Sequence, residues 1–138
     1  MSGEFCDTNI FIYAYDSSAG EKQERARSLV ERLWGSGAGV VSLQVLQELY
    51  VNLTRKLRSP VSPLDARERV VNLGTWRVIE PERNDVIAAI DASVRWRISF
   101  WDSLLLVTAR KASVEVLWSE DLNDGQNFDG VTVRNPFL

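Results

Sequence analysis

The sequence predicts an α/β domain with a mainly parallel sheet, and three observations lead there. Short β-branched or apolar runs at 5–6, 40–41, 78–79, 114–118 and 130–133 alternate with segments of helical period, as parallel strands joined by helices require. Cap and turn residues stand at the junctions between them. The 138 residues fit a single domain over 1–138, long enough to bury a core, with no repeat, low-complexity tract or linker.

Phe5-Cys6-Asp7 reads as a first strand that ends on an acid, with Cys6 as a small buried residue. Ile10 to Tyr15 is apolar and aromatic but too short to assign by period. Asp16 to Gly20 is a loop. From Glu21 to Trp34 the residues Ala26, Leu29, Val30, Leu33 and Trp34 fall at i, i+3, i+4, i+7 and i+8, which predicts a helix stopped by Gly35-Ser36-Gly37. Val40-Val41 is a brief strand, and Ser42 caps a helix from Leu43 to about Leu57. Its apolar stripe is Leu46, Leu49, Tyr50, Leu53 and Leu57. The face Gln44-Glu48-Asn52-Arg55 is polar and reads as solvated.

Ser62-Pro63-Leu64-Asp65 opens a helix to about Trp76, with proline at the first helical position. Val78-Ile79 is a short strand. Pro81-Glu82 introduces a helix with Val86, Ile87, Ile90 and Val94 expected to face inward. Ser99, three residues before Asp102, resembles a capping box, and the helix through Leu104-Leu105-Leu106-Val107 is apolar nearly all round and hence central. Val114 to Trp118 is a strand closed by Ser119-Glu120-Asp121. Asn123-Asp124-Gly125 is turn chemistry, and Gly130 to Val133 is the last strand. The five tryptophans read mostly as core residues.

Composition narrows the chemistry. Hydrophobic residues at 45% and charged ones at 25% are ordinary for a globular protein. No apolar run approaches the roughly 18 residues that span a bilayer, and no signal peptide opens the chain, so no membrane partner is expected. One cysteine forms no internal disulfide, which points to the reducing cytoplasm. The net charge of −3 argues against a surface coated in positive potential. Histidine is absent, which removes the usual general base, the Ser-His-Asp and Cys-His arrangements and most zinc sites. An enzyme built on this sequence must work with carboxylates, hydroxyls, Lys/Arg or a hard metal.

Four acids fit that requirement. Asp7 and Asp121 stand at the carboxyl ends of predicted strands, where open α/β sheets bind ligands. Each also has a turn role that needs no chemistry. Asp102 lies in the first turn of the central helix, where the helix dipole favours an acid, and Trp101 beside it implies burial that calls for a partner. Glu48 lies on the polar helix face. Carboxylates brought together repel and do not all stay ionised without compensation. Mg²⁺ or Mn²⁺, one ion or two, supplies it through oxygen ligands, and a water activated by the ion can attack a phosphodiester.

The segments Phe5-Cys6-Asp7-Thr8-Asn9-Ile10, Glu48 after Ser42, Ser99-Phe100-Trp101-Asp102-Ser103-Leu104-Leu105 and Leu117-Trp118-Ser119-Glu120-Asp121-Leu122 resemble the PIN-domain ribonucleases. The ending through Gly125-Gln126, Gly130-Val131 and Asn135-Pro136-Phe137 is similar to the VapC toxins of toxin–antitoxin pairs. The resemblance covers essentially the whole chain. It implies an α/β/α three-layer sandwich with about five strands, Mg²⁺- or Mn²⁺-dependent cleavage of RNA, a homodimer, and inhibition by a small VapB-like antitoxin. It places Asp7, Glu48, Asp102 and Asp121 on the metal-site acids, with Thr8, Asn9 and Ser119 supporting them by hydrogen bonding. Glu120 and Asp124 are further acids whose part in the cluster is left open.

Arg55, Lys56 and Arg58 continue the Glu48 helix, and Arg95 and Arg97 precede Asp102. They form a solvated face or, at the rim of an acidic pocket, hold the RNA backbone. Trp101 is placed to stack on an unpaired base. Two rival functions remain. An aspartyl-phosphate phosphatase also carries an acid after strand one but wants Asp-x-Asp where Asp7-Thr8-Asn9 offers asparagine. A non-catalytic receiver-like or RNA-binding module would want a second early acid and a late strand-end lysine, and neither is evident.

Overall fold

The computed structural model describes residues 3–138. Five strands run parallel: β1 (Glu4–Cys6), β2 (Gly39–Ser42), β3 (Arg77–Ile79), β4 (Val116–Trp118) and β6 (Val131–Arg134). A sixth, β5 (Asn127–Phe128), pairs antiparallel with β6 at the edge, giving the order β3-β2-β1-β4-β6-β5. The sheet is thus one two-residue strand wider than the sequence predicts. Two residues bounded by turns carry no period from which to predict a strand.

The helices are α1 (Thr8–Tyr15), α2 (Glu21–Ser36), α3 (Leu43–Arg55), α4 (Pro63–Leu73), α5 (Arg83–Trp96) and α6 (Phe100–Lys111). α1 packs on α2 and α3, and α3 packs on α4; α5 packs on α6, which in turn contacts β2 and β6. This is the α/β/α three-layer arrangement. The run Ile10–Tyr15, unassigned from its period, is most of α1, and Asp7 is its N-cap.

β1 and β2 are buried on both faces. Phe5, Cys6, Val40 and Val41 join Ile10, Leu33, Leu53, Leu117 and Val133 in the core. Gly39 is required where it stands, because a Cβ there would lie 2.4 Å from the Trp76 ring. Trp76 in turn packs edge-to-face on Phe11 and Trp34.

Two expectations need correction, the α5 stripe and Gln44. Val86, Ile87, Ile90 and Val94 do not face inward; all four are exposed, Val94 at 75%. α5 packs on α6 with Ala89 as its buried residue, and its apolar stripe turns outward. Trp76, Trp96 and Trp118 pack half-buried against the core as expected, while Trp34 and Trp101 are exposed. Gln44 is not on a solvated face but buried, as the site makes clear.

Candidate active site

The strand register brings the site together. Cys6 is opposite Trp118 in the parallel β1–β4 pair, so the next residues, Asp7 and Ser119, emerge side by side at the carboxyl edge. The ladder runs on past both strands: Asp7 N–H donates to the Trp118 carbonyl, and Ser119 N–H donates to that of Arg134.

Asp7 is buried and held on both carboxylate oxygens. The Thr8 backbone N–H donates to Oδ1 at 2.6 Å, and the Ser119 hydroxyl donates to Oδ2 at 2.9 Å. Burial pushes its carboxyl up to about 7, the two hydrogen bonds oppose that shift, and the charges of Asp121 and Glu48 add to it. Ser119 Oγ also accepts from the backbone N–H of Asp121 at 3.1 Å, which fixes the loop carrying that acid. Asn9 Nδ2 reaches Asp121 Oδ2 at 3.4 Å.

Glu48 comes from α3, which begins where β2 ends; Ser42 is both the last strand residue and the N-cap. The Thr8 hydroxyl donates to Glu48 Oε1 at 2.7 Å. Asp102 sits in the first turn of α6, with the Ser99 hydroxyl accepting from its backbone N–H. Partial burial and then the Glu48 charge raise its carboxyl, and a bond with Ser99 opposes them. Asp121 lies at the surface. Desolvation raises its carboxyl, followed by the charges of Asp102 and Glu120. Asp7, Glu48, Asp102 and Asp121 therefore feel one another's charge.

Among the described residues, no group of three or more His, Cys, Asp or Glu side chains stands in a ligating arrangement. The donor set nevertheless suits a hard divalent cation. Every donor is a carboxylate oxygen, and the mutual charge that helps raise Asp7, Asp102 and Asp121 is what such an ion relieves.

The other residues singled out fall in different places. Glu120 accepts from the Tyr13 hydroxyl at 2.5 Å and from Lys22 Nζ at 2.8 Å, and its charge helps raise the neighbouring Asp121. Asp124 accepts from the Asn135 backbone N–H, a turn role. Arg95 pairs with Asp129, which just precedes β6 and so lies at the opposite, amino edge of the sheet; it is not at the rim of the acids. Arg97 is exposed as the left-handed C-cap of α5. Arg55, Lys56 and Arg58 are exposed at the far end of α3, two turns or more beyond Glu48.

Two features were missed from sequence. Gln44, one turn before Glu48, is only 7% exposed; its Nε2 donates to the Trp101 carbonyl at 3.5 Å, and its Oε1 is buried without a partner. Lys22 and Tyr13 gather around Glu120, far from it in sequence and with no motif to announce them. A cleft of about 870 Å³ opens elsewhere, among α1 to α4, lined by Phe11, Tyr15, Trp34, Leu49, Arg69 and Leu73.

A parallel sheet with acids converging at its carboxyl edge from β1, β4, α3 and α6 defines a carboxylate-site α/β protein. The chain belongs to the PIN-domain family, whose model matches residues 5–126. Its fold is also that of solved structures from toxin–antitoxin systems. A toxin–antitoxin complex from Klebsiella pneumoniae superposes with a TM-score of 0.70 at 18% identity over 97% of this chain and 98% of that one. VapC20 of Mycobacterium tuberculosis, described as a Sarcin-Ricin loop cleaving toxin, gives 0.63 at 21% identity over 83% and 87%. DNA-bound VapBC from Salmonella typhimurium gives 0.69 at 16% identity over 99% of each chain. No curated protein matches the chain. Among the described residues, no helix is long and apolar enough to cross a membrane.

Proposed function

We propose that this protein is a metal-dependent endoribonuclease, the VapC-type toxin of a toxin–antitoxin pair acting in the cytoplasm. One observation carries the reading: Asp7, Glu48, Asp102 and Asp121 converge at one sheet edge, and Asp7 is held there by hydrogen bonds on both oxygens. Membership of the PIN family and the fold shared with a Sarcin-Ricin loop cleaving toxin support it.

Asp7 and Asp102 would hold Mg²⁺ or Mn²⁺ directly, with Glu48 and Asp121 on the same or a second ion. A divalent ion bound there lowers the pKa of water and offsets charge on the phosphoryl oxygens. The chain's own part is to aim and desolvate the acids. Ser119 and the Thr8 backbone orient Asp7, and the Thr8 hydroxyl orients Glu48. Trp101, exposed beside Asp102, is placed to stack on an unpaired base.

Two protein partners are part of the proposal. A second copy would cover the apolar face of Val86, Ile87, Ile90 and Val94. A small antitoxin would dock elsewhere, consistent with the toxin–antitoxin complexes that share the fold; the cleft among α1 to α4 offers apolar walls for it. The nuclease reading is tested by incubating single-stranded RNA with the protein and Mn²⁺, with EDTA as control. Cleavage that EDTA abolishes supports it. RNA left intact in both tubes favours a non-catalytic binding module.

A further inference from the structure

A polyanionic substrate calls for a cation at the rim of the acidic site, yet Arg55 and Arg58 lie at or past the end of α3 and Arg95 pairs with Asp129. Lys22 is different. Its Nζ lies 2.8 Å from Glu120 Oε2, and Glu120 directly precedes Asp121. The Lys22 charge acts on Asp121, where it opposes the rise in that carboxyl. The ammonium also sits over two aromatic rings, 4.8 Å from the centre of Tyr13 and 5.3 Å from that of Phe137, which pack edge-to-face on each other.

We propose that Lys22, held over Tyr13 and Phe137 and parked on Glu120, is the phosphate anchor of the site and binds an RNA backbone phosphate beside the scissile bond. This rests on the ribonuclease reading above and gives that site a substrate contact. The Lys22 side chain is 45% exposed and so open to a second anion, while Glu120, at 17%, keeps its hydrogen bond from the Tyr13 hydroxyl when the lysine leaves. Lysine is a compact charge on a flexible stem, so it can change partners without moving α2. The aromatic rings keep the ammonium at the mouth of the site when it leaves Glu120. Glu120 is the resident competitor: it occupies Lys22 in the free protein and stays fixed by the Tyr13 hydroxyl.

The arrangement makes two variants move in opposite directions. Binding of a fluorescein-labelled single-stranded oligoribonucleotide is measured by anisotropy in EDTA over a series of KCl concentrations. Lys22→Met should weaken binding about tenfold at low salt and reduce the slope of log K against log salt by about 0.7, one phosphate contact on a single strand. Lys22→Arg should keep the slope. Glu120→Gln, which removes the competitor, should tighten binding several-fold. Melting temperatures of all three are recorded alongside.

If the trio is only a structural latch, Lys22→Met and Glu120→Gln lower the melting temperature and leave affinity and slope at wild-type values. That result overturns the proposal while the nuclease reading stands. A wild-type chain with no affinity for RNA, with or without Mn²⁺, overturns both.

Discussion

The Ser119 hydroxyl donates a 2.9 Å hydrogen bond to Oδ2 of Asp7, so the residue that follows β4 holds the residue that follows β1. The same oxygen accepts from Asp121 N–H, and one side chain thereby couples two of the four acids. Ser119→Ala removes both functions without adding bulk. Loss of a bond to a buried carboxylate is expected to cost about 1.5–3 kcal/mol in its ionised form. Any Mn²⁺-dependent cleavage should fall about tenfold or more, with its pH profile moved to higher pH because the bond that favours ionised Asp7 is gone. Unchanged activity and profile would show that Asp7 does not depend on Ser119.

Asp7 makes stability depend on pH. Its carboxyl stands at about 7 against an ordinary 3.8, so the folded state binds a proton that the unfolded state has released. The stability this group contributes is therefore complete below about 3.8 and is lost as the pH rises through about 7. The difference is on the order of 4 kcal/mol. The raised carboxyls of Asp102 and Asp121 act in the same direction. In EDTA, the urea midpoint should fall between about pH 5.5 and pH 8.5, and Asp7→Asn should flatten the fall and be the more stable protein at the high end. A wild-type midpoint that rises over that range contradicts the burial of the Asp7 charge.

Thr8 serves two acids, its backbone N–H going to Asp7 and its hydroxyl to Glu48. Thr8→Val keeps the shape and the backbone bond but frees Glu48. Mn²⁺ affinity, measured by isothermal titration calorimetry, should drop about 10- to 100-fold with little change in fold. Equal affinity would place Glu48 outside the metal site.

How much of this was legible in the sequence depends on which physical signal each residue carried. Asp7 and Asp121 could be found because a strand that ends on an acid is visible, and Asp102 because Ser99 caps its helix. Gln44 could not. Period separates a leucine stripe from a polar stripe, but it does not say that the turn carrying Gln44 and Glu48 is lodged in the seam against Trp101. For the same reason the α5 stripe reads from sequence as core. Amphipathicity marks an apolar face and not what covers it, and here Ala89 is buried while Ile87 is exposed. Lys22 and Tyr13 reach Glu120 across about 100 residues of sequence, and long-range pairing of that kind leaves no local trace.

The outward stripe of α5 gives an assembly prediction. Ile87→Glu combined with Val94→Lys should convert a wild-type dimer to monomer in sedimentation experiments and leave the secondary structure intact. A wild-type chain that is already monomeric at high micromolar concentration would show that a second copy does not cover this face.

Asp7 and Asp102 would share one metal-dependent nuclease centre, so losing both should remove metal binding and cleavage together. The decisive experiment titrates Mn²⁺ into wild type and into the Asp7→Asn, Asp102→Asn double variant, following RNA cleavage and bound Mn²⁺ together. Wild type should bind the ion and cut RNA, while the folded double variant binds weakly and leaves RNA intact. Equal cleavage by the two proteins would contradict a shared centre.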